Sequence, residues 1–118
     1  MGRALDLFGE ILARDLSDDG LRDGAIQRFE FCYELFWKSV KARFEALNRD
    51  VGAAPASVLG AAYLAGWFDD EPVFRRMGQD RNLTSHTYEQ ELAEEVAARL
   101  PRYYEVMRRA FEDRDAFR

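Results

Sequence analysis

The chain has 118 residues, of which 47% are hydrophobic, 14% aromatic and 33% charged. That length suits one domain with a real core, and that hydrophobic share excludes a disordered chain. Seventeen Lys and Arg against 22 Asp and Glu leave a net charge of −5, which argues against an extended electrostatic binder of nucleic acid but leaves room for a local cationic site.

The first periodic segment runs from about Arg3 to Leu16, with Leu5, Phe8, Leu12 and Leu16 on one face. Ser17, Asp18, Asp19 and Gly20 break it, and Asp23 is the expected cap of a long second helix reaching about Asn48. In that helix Ile26, Phe29, Tyr33, Phe36, Val40, Phe44 and Leu47 recur at alternating spacings of three and four, a continuous apolar stripe. Phe31, Cys32, Leu35 and Trp37 widen it, so the helix must pack on more than one neighbour. Glu34 and Lys38 stand four apart on the same helix, a weakly favourable pair. Trp37 and Phe36 read as core or interface, and Arg28, Glu30 and Lys38 either as solvated residues or as cleft lining, with ordinary surface expected for most such charges. Cys32 is the only cysteine, which rules out an intramolecular disulfide and a cysteine zinc site. Its aromatic neighbours mark it as a small buried hydrophobe.

A loop from Asn48 to Ala54 precedes a short helix opened by Pro55 or Ser57 and ended by Gly66. Pro72 fits the first turn of a fourth helix carrying Phe74, Met77 and Arg81. The last helix starts near Glu89 and shows Leu92, Val96, Leu100, Tyr103, Met107 and Phe111. Pro101 should kink or divide it, because its ring clashes with the preceding turn and removes one bond. No segment alternates as a strand would. The expected fold is all-α: an antiparallel bundle of about five helices with an up-and-down four-helix core, residues 1–118 forming a single domain. No signal peptide and no apolar run of about 18 residues is read, so a cytoplasmic location is expected.

Between the last two helices lies the stretch with the most chemistry, Asp80 to Tyr88, which holds the only histidine. Arg81 offers a planar fork for phosphate oxygens, and His86 a group that moves protons near neutral pH. Five residues along an ideal helix rotate by about 500°, leaving Arg81 and His86 roughly 140° apart around the axis. A straight helix would not aim both at one phosphate. Either the helix ends or bends near Thr84 and Ser85, or the working pair combines two protomers. A Gly-rich phosphate loop, a paired-carboxylate metal cluster and a nucleophilic triad are not found, so other common enzyme classes have no anchor.

Two segments carry a family resemblance. DGAIQRFEFCYELFWKSVKA (residues 23–42) holds an RFEF-x-YEL-x-WK pattern, and DRNLTSHTYEQELAEEV (residues 80–96) holds R-x4-H with an H-x-Y extension. With helix order and length, they make the chain similar to the HepT-like proteins of the HEPN superfamily, also known as nucleotidyltransferase substrate-binding proteins. The resemblance implies a homodimer whose two R-x4-H motifs share a cleft and act as a metal-independent, RNA-binding endoribonuclease, the toxin of a toxin–antitoxin pair. Arg81 and His86 would be catalytic, Asn82 supporting, and Tyr88 the tyrosine that a cognate minimal nucleotidyltransferase antitoxin AMPylates. No cofactor and no metal is expected. The implied partners are a second copy, the transferase and RNA, with a nucleotide as a further candidate; neither membrane nor DNA is expected. The alternative is a non-catalytic substrate-binding subunit of a two-component nucleotidyltransferase. The chain itself lacks the G-S and D-x-D signature of such a transferase.

Overall fold

The computed structural model describes residues 1–86 and 89–113. Five helices follow in order: α1 (Gly2–Leu12), α2 (Asp19–Ala46), α3 (Pro55–Leu64), α4 (Glu71–Leu83) and α5 (Gln90–Asp113). A 3-10 turn, Thr84–His86, follows α4 directly. There is no strand among the described residues, and no helix is long and apolar enough to cross a membrane.

The second helix starts earlier than its apolar stripe. Asp18, not Asp23, is the cap, its carboxylate accepting from the Leu21 N–H at 2.9 Å. The apolar pattern could not show this, because Leu21 is the only large apolar residue in the first turn of α2; the capping carboxylate decides the boundary. Conversely α1 ends at Leu12, leaving Leu16 in the connection, where it still packs on the core. Pro55 and Pro72 occupy the first turns of α3 and α4, where a missing N–H costs nothing. Gly66, at φ 76°, turns the chain after α3 in the left-handed region that other residues enter at a cost. Pro101 does not divide α5, which is one helix through that position. Its immediate neighbour Leu100 is fully buried and Tyr103 nearly so, and that packing offsets the lost bond.

Side-chain pairs fix the directions. Ile11 lies against Gly24, Phe8 against Phe29, and the Ala4 carbonyl accepts from Cys32 Sγ at 3.1 Å, so α1 and α2 are antiparallel. Gly2 near Phe111, Asp6 paired with Arg108 and Gly9 near Tyr104 set α1 antiparallel to α5. Phe36 stacks on Phe74 at 5.3 Å while Tyr33 reaches Gly78, so α4 is antiparallel to α2. The core is therefore an up-and-down four-helix bundle of α1, α2, α4 and α5. Helix α3 packs on α2 and α4, and Trp67, just beyond it, stacks on Phe44 near the end of α2 at 4.2 Å. Helix α2 touches all four others, as an apolar surface wider than a seam demands.

One polar group lies wholly inside this packing. Asp80 is fully buried on α4, and Arg99 of α5 grips its two oxygens at 2.7 and 2.8 Å. Tyr103 donates its hydroxyl to the same carboxylate, and Arg76 Nε stands 3.7 Å away. Burying a carboxylate costs several kcal/mol, which a bidentate guanidinium and a hydroxyl donor together offset. Burial first, and then the hydrogen bond to Asp80, push the Tyr103 phenol up. Asp80→Ala leaves Arg99 without its partner, and the expected loss is about 3–5 kcal/mol of stability in urea unfolding. A loss within experimental error would mean that the pair does not hold α4 to α5.

Burial also pushes Cys32 and Tyr33 up to about 12. Groups with raised values hold their protons more tightly folded than unfolded. Their contribution is intact below about pH 8.5, where the unfolded thiol starts to ionise, and is lost as pH climbs towards 12. Urea midpoints should fall steadily between about pH 8 and pH 11; a flat profile would contradict the burial of these three groups.

Candidate functional site

Arg81 sits in the last turn of α4, about one-third exposed and immediately after the Asp80 anchor. Its Nη1 is 3.2 Å from Glu30 Oε2, and its Nε is 3.5 Å from Glu34 Oε1, both on α2. Glu30 and Glu34 lie one helical turn apart on the face of α2 that meets α4. At this exposure the two pairs are worth no more than about 1 kcal/mol each, so they orient the guanidinium more than they stabilise the fold. They also leave it unsaturated. Nε is buried yet makes no hydrogen bond, the Glu34 carboxylate standing 3.5 Å away. Nη1 donates to Thr84 Oγ1 at 3.2 Å, and Nη2 donates to no acceptor among the described residues.

The chain changes character at this point. Thr84 caps α4 by turning its own hydroxyl back onto the Arg81 carbonyl at 2.7 Å, and its N–H bonds the Arg81 and Asp80 carbonyls. Ser85 Oγ makes the equivalent bond to the Asn82 carbonyl at 3.3 Å. These hydroxyls compete for backbone acceptors that a continuing helix would use, and the α-helix gives way to the 3-10 turn. The helix thus ends at Leu83, and the rotation of an ideal helix no longer governs how Arg81 and His86 are disposed. His86 closes the turn; its side chain lies outside the described residues, as do Thr87 and Tyr88.

Arg81 and Asn82 share the wall of a cleft of about 650 Å³ between α2, α3 and α4. Asn82 is exposed, and its side-chain amide makes no hydrogen bond among the described residues. Tyr33 and Phe74 also face the cleft. The structure therefore brings two of the four expected site residues, Arg81 and Asn82, to one edge, with the backbone of His86 at the end of the adjoining turn.

Several contributors were not legible in the motif. Glu30, for which the sequence leaves both solvated surface and cleft lining open, pairs with Arg81. Asp80, Arg99 and Tyr103 hold the helix that carries Arg81, and the 19-position separation of Asp80 and Arg99 gives no local signal. Arg28 is not a site residue: its Nη1 donates to the Leu7 carbonyl across α1 and α2. Lys38 stays with Glu34, 3.6 Å away, and over the Trp37 ring. Phe36 is fully buried in the core, and Trp37 packs partly buried against it.

Comparison with known proteins agrees with this architecture. Residues 1–114 match the family model described as nucleotidyltransferase substrate binding protein like. A protein of Haemophilus influenzae named "Probable ribonuclease HepT" is 41% identical over 86 residues, 70% of this chain. The match spans 59% of that relative's length. A crystal structure of a protein from Thermus thermophilus superimposes with a TM-score of 0.87 at 34% identity, covering 94% of this chain and 95% of the other. A family match over nearly the whole length, on a bundle with this helix order, establishes that the chain belongs to the HepT-like family of the HEPN superfamily.

Proposed function

We propose that the chain is a HepT-like ribonuclease toxin that cuts RNA without a metal, at a cleft formed by two copies of itself. The observation that carries this reading is the state of Arg81. It is held in place by Glu30 and Glu34, stands at the head of the turn that ends in His86, and keeps donor capacity unfilled. That is what a phosphate-binding guanidinium needs: orientation from its neighbours, and hydrogen bonds left for the phosphorane oxygens. The name of the Haemophilus relative supports the same chemistry.

In the proposed reaction a neutral His86 takes the proton of a ribose 2′-hydroxyl, and the 2′-oxygen bonds to phosphorus. Arg81 steadies the charge that gathers on the non-bridging oxygens. The bond from phosphorus to the 5′-oxygen breaks, and that oxygen takes a proton from an imidazolium. One histidine cannot readily be base and acid in the same step, and the chain has only one. A second copy supplies the other, which makes the homodimer part of the chemistry. Asn82 supports the site from the cleft edge. Tyr88, two residues past His86, is the position at which a cognate minimal nucleotidyltransferase antitoxin would attach AMP, adding negative charge beside a phosphate-binding site.

A second reading has its own support. Glu30 and Glu34 beside Arg81, within a chain of net charge −5, weaken the local attraction for a polyanion. They suit a non-catalytic subunit that presents a substrate, or Tyr88 itself, to a transferase.

Purified protein is expected to cleave single-stranded RNA in EDTA, with His86→Ala lowering the rate at least a hundredfold and Arg81→Ala similarly. Undiminished cleavage by His86→Ala would remove the assignment. Expression with a cognate minimal nucleotidyltransferase should add one or more AMP masses to the chain, mapped to Tyr88 by fragmentation. If no RNA is cut and the AMP mass still appears, the second reading holds.

A further inference from the structure

The cleft beside Arg81 contains a feature that phosphate chemistry does not explain. Tyr33 is only 3% exposed, yet it lines the cleft and its hydroxyl makes no hydrogen bond among the described residues. Its ring is buried while its hydroxyl keeps access to the cleft, so the oxygen is open to a ligand there. The surrounding wall is shaped to leave it reachable. Gly78 lies so close that a Cβ there would stand 3.1 Å from the Tyr33 oxygen. Across the cleft, a Cβ on Gly60 of α3 would meet no heavy atom within 4 Å. The back wall is apolar, with Leu59 and Phe74 both nearly buried. At the edge stand Gln79 and Asn82, exposed amides with no side-chain hydrogen bond among the described residues, next to Arg81.

An apolar, partly aromatic slot with one phenolic hydroxyl open to it, amides at its rim and a cation at its mouth matches a nucleotide. The slot takes the flat base, the hydroxyl and amides meet its polar edges, and the cation takes the phosphate. A cleft of about 650 Å³ accommodates that ligand. We propose that this α2–α3–α4 cleft is a base pocket, receiving the unstacked base of the nucleotide whose phosphate lies at Arg81. The identity of that nucleotide as part of an RNA strand rests on the ribonuclease reading. The pocket then explains a requirement for single strands, because a base paired in a duplex cannot leave its stack to enter.

The test is equilibrium binding of the full chain, in EDTA, to a fluorescent single-stranded 2′-O-methyl RNA octamer that cannot be cut. Gly60→Leu fills the cleft from a position with open space, within a helix where leucine is favoured over glycine, so its melting temperature should not fall. Its affinity for the octamer should drop at least tenfold. Tyr33→Phe should drop it about three- to tenfold. An octamer of the same charge bearing abasic sites should bind both variants and the parent protein equally weakly. Unchanged octamer affinity in Gly60→Leu would overturn the proposal. So would a Gly60→Leu effect confined to competition by free AMP, or a shifted elution volume for that variant, which would mark the cleft as a protein contact. Because the strand is uncleavable, a pocket without cleavage and cleavage without a pocket give different results.

Discussion

A carboxylate with no solvent contact organises the working end of this bundle. Asp80 is fully buried between α4 and α5 and satisfied by Arg99 and Tyr103. An uncompensated charge there would cost several kcal/mol, so the helices are stable only in the register that brings these three groups together. Arg81 is the next residue. The register that satisfies Asp80 also turns Arg81 towards α2, where Glu30 and Glu34 receive it. A requirement of folding thus places a group suited to chemistry.

Much of the bundle was legible from spacing. The stripe from Ile26 to Phe44 is buried as its period demands, but Leu47 at its end is exposed, and of the residues expected to widen it Cys32 is buried while Phe31 faces solvent. The break near Thr84 and Ser85, one of two outcomes that helical rotation left open, is present as a 3-10 turn. What spacing could not supply falls into two kinds. Local competition decided Asp18 over Asp23 as the cap and kept α5 whole through Pro101, and each depended on bonds or packing outside the apolar pattern. Long-range pairing decided the rest. Glu30 with Arg81, Asp80 with Arg99, and Tyr33 with the cleft join residues whose separation in sequence gives no sign of contact. Of the site itself, the motif named Arg81 and Asn82, which line one cleft, while the groups around them became visible only in three dimensions.

The charge balance is compatible with the proposed local engagement of RNA. With a net charge of −5, non-specific attraction along a strand is weak. The two glutamates beside Arg81 reduce it further, so binding must draw on contacts other than a cationic surface. In the proposed reading, a pocket for a base would supply such contacts, and a second copy would supply a second cation and a second histidine. AMP attached near this site would add charge where the local field already disfavours phosphate, which suits an off-switch.

The chemical ends left on cut RNA test the proposed chemistry most directly. Cleavage in EDTA through the 2′-hydroxyl leaves a 2′,3′-cyclic phosphate on one fragment and a 5′-hydroxyl on the other, and a single 2′-deoxy substitution at the cut position should block it. Fragments with 5′-phosphate ends, or cutting that survives the deoxy substitution, would contradict the assignment of Arg81 and His86 to this reaction.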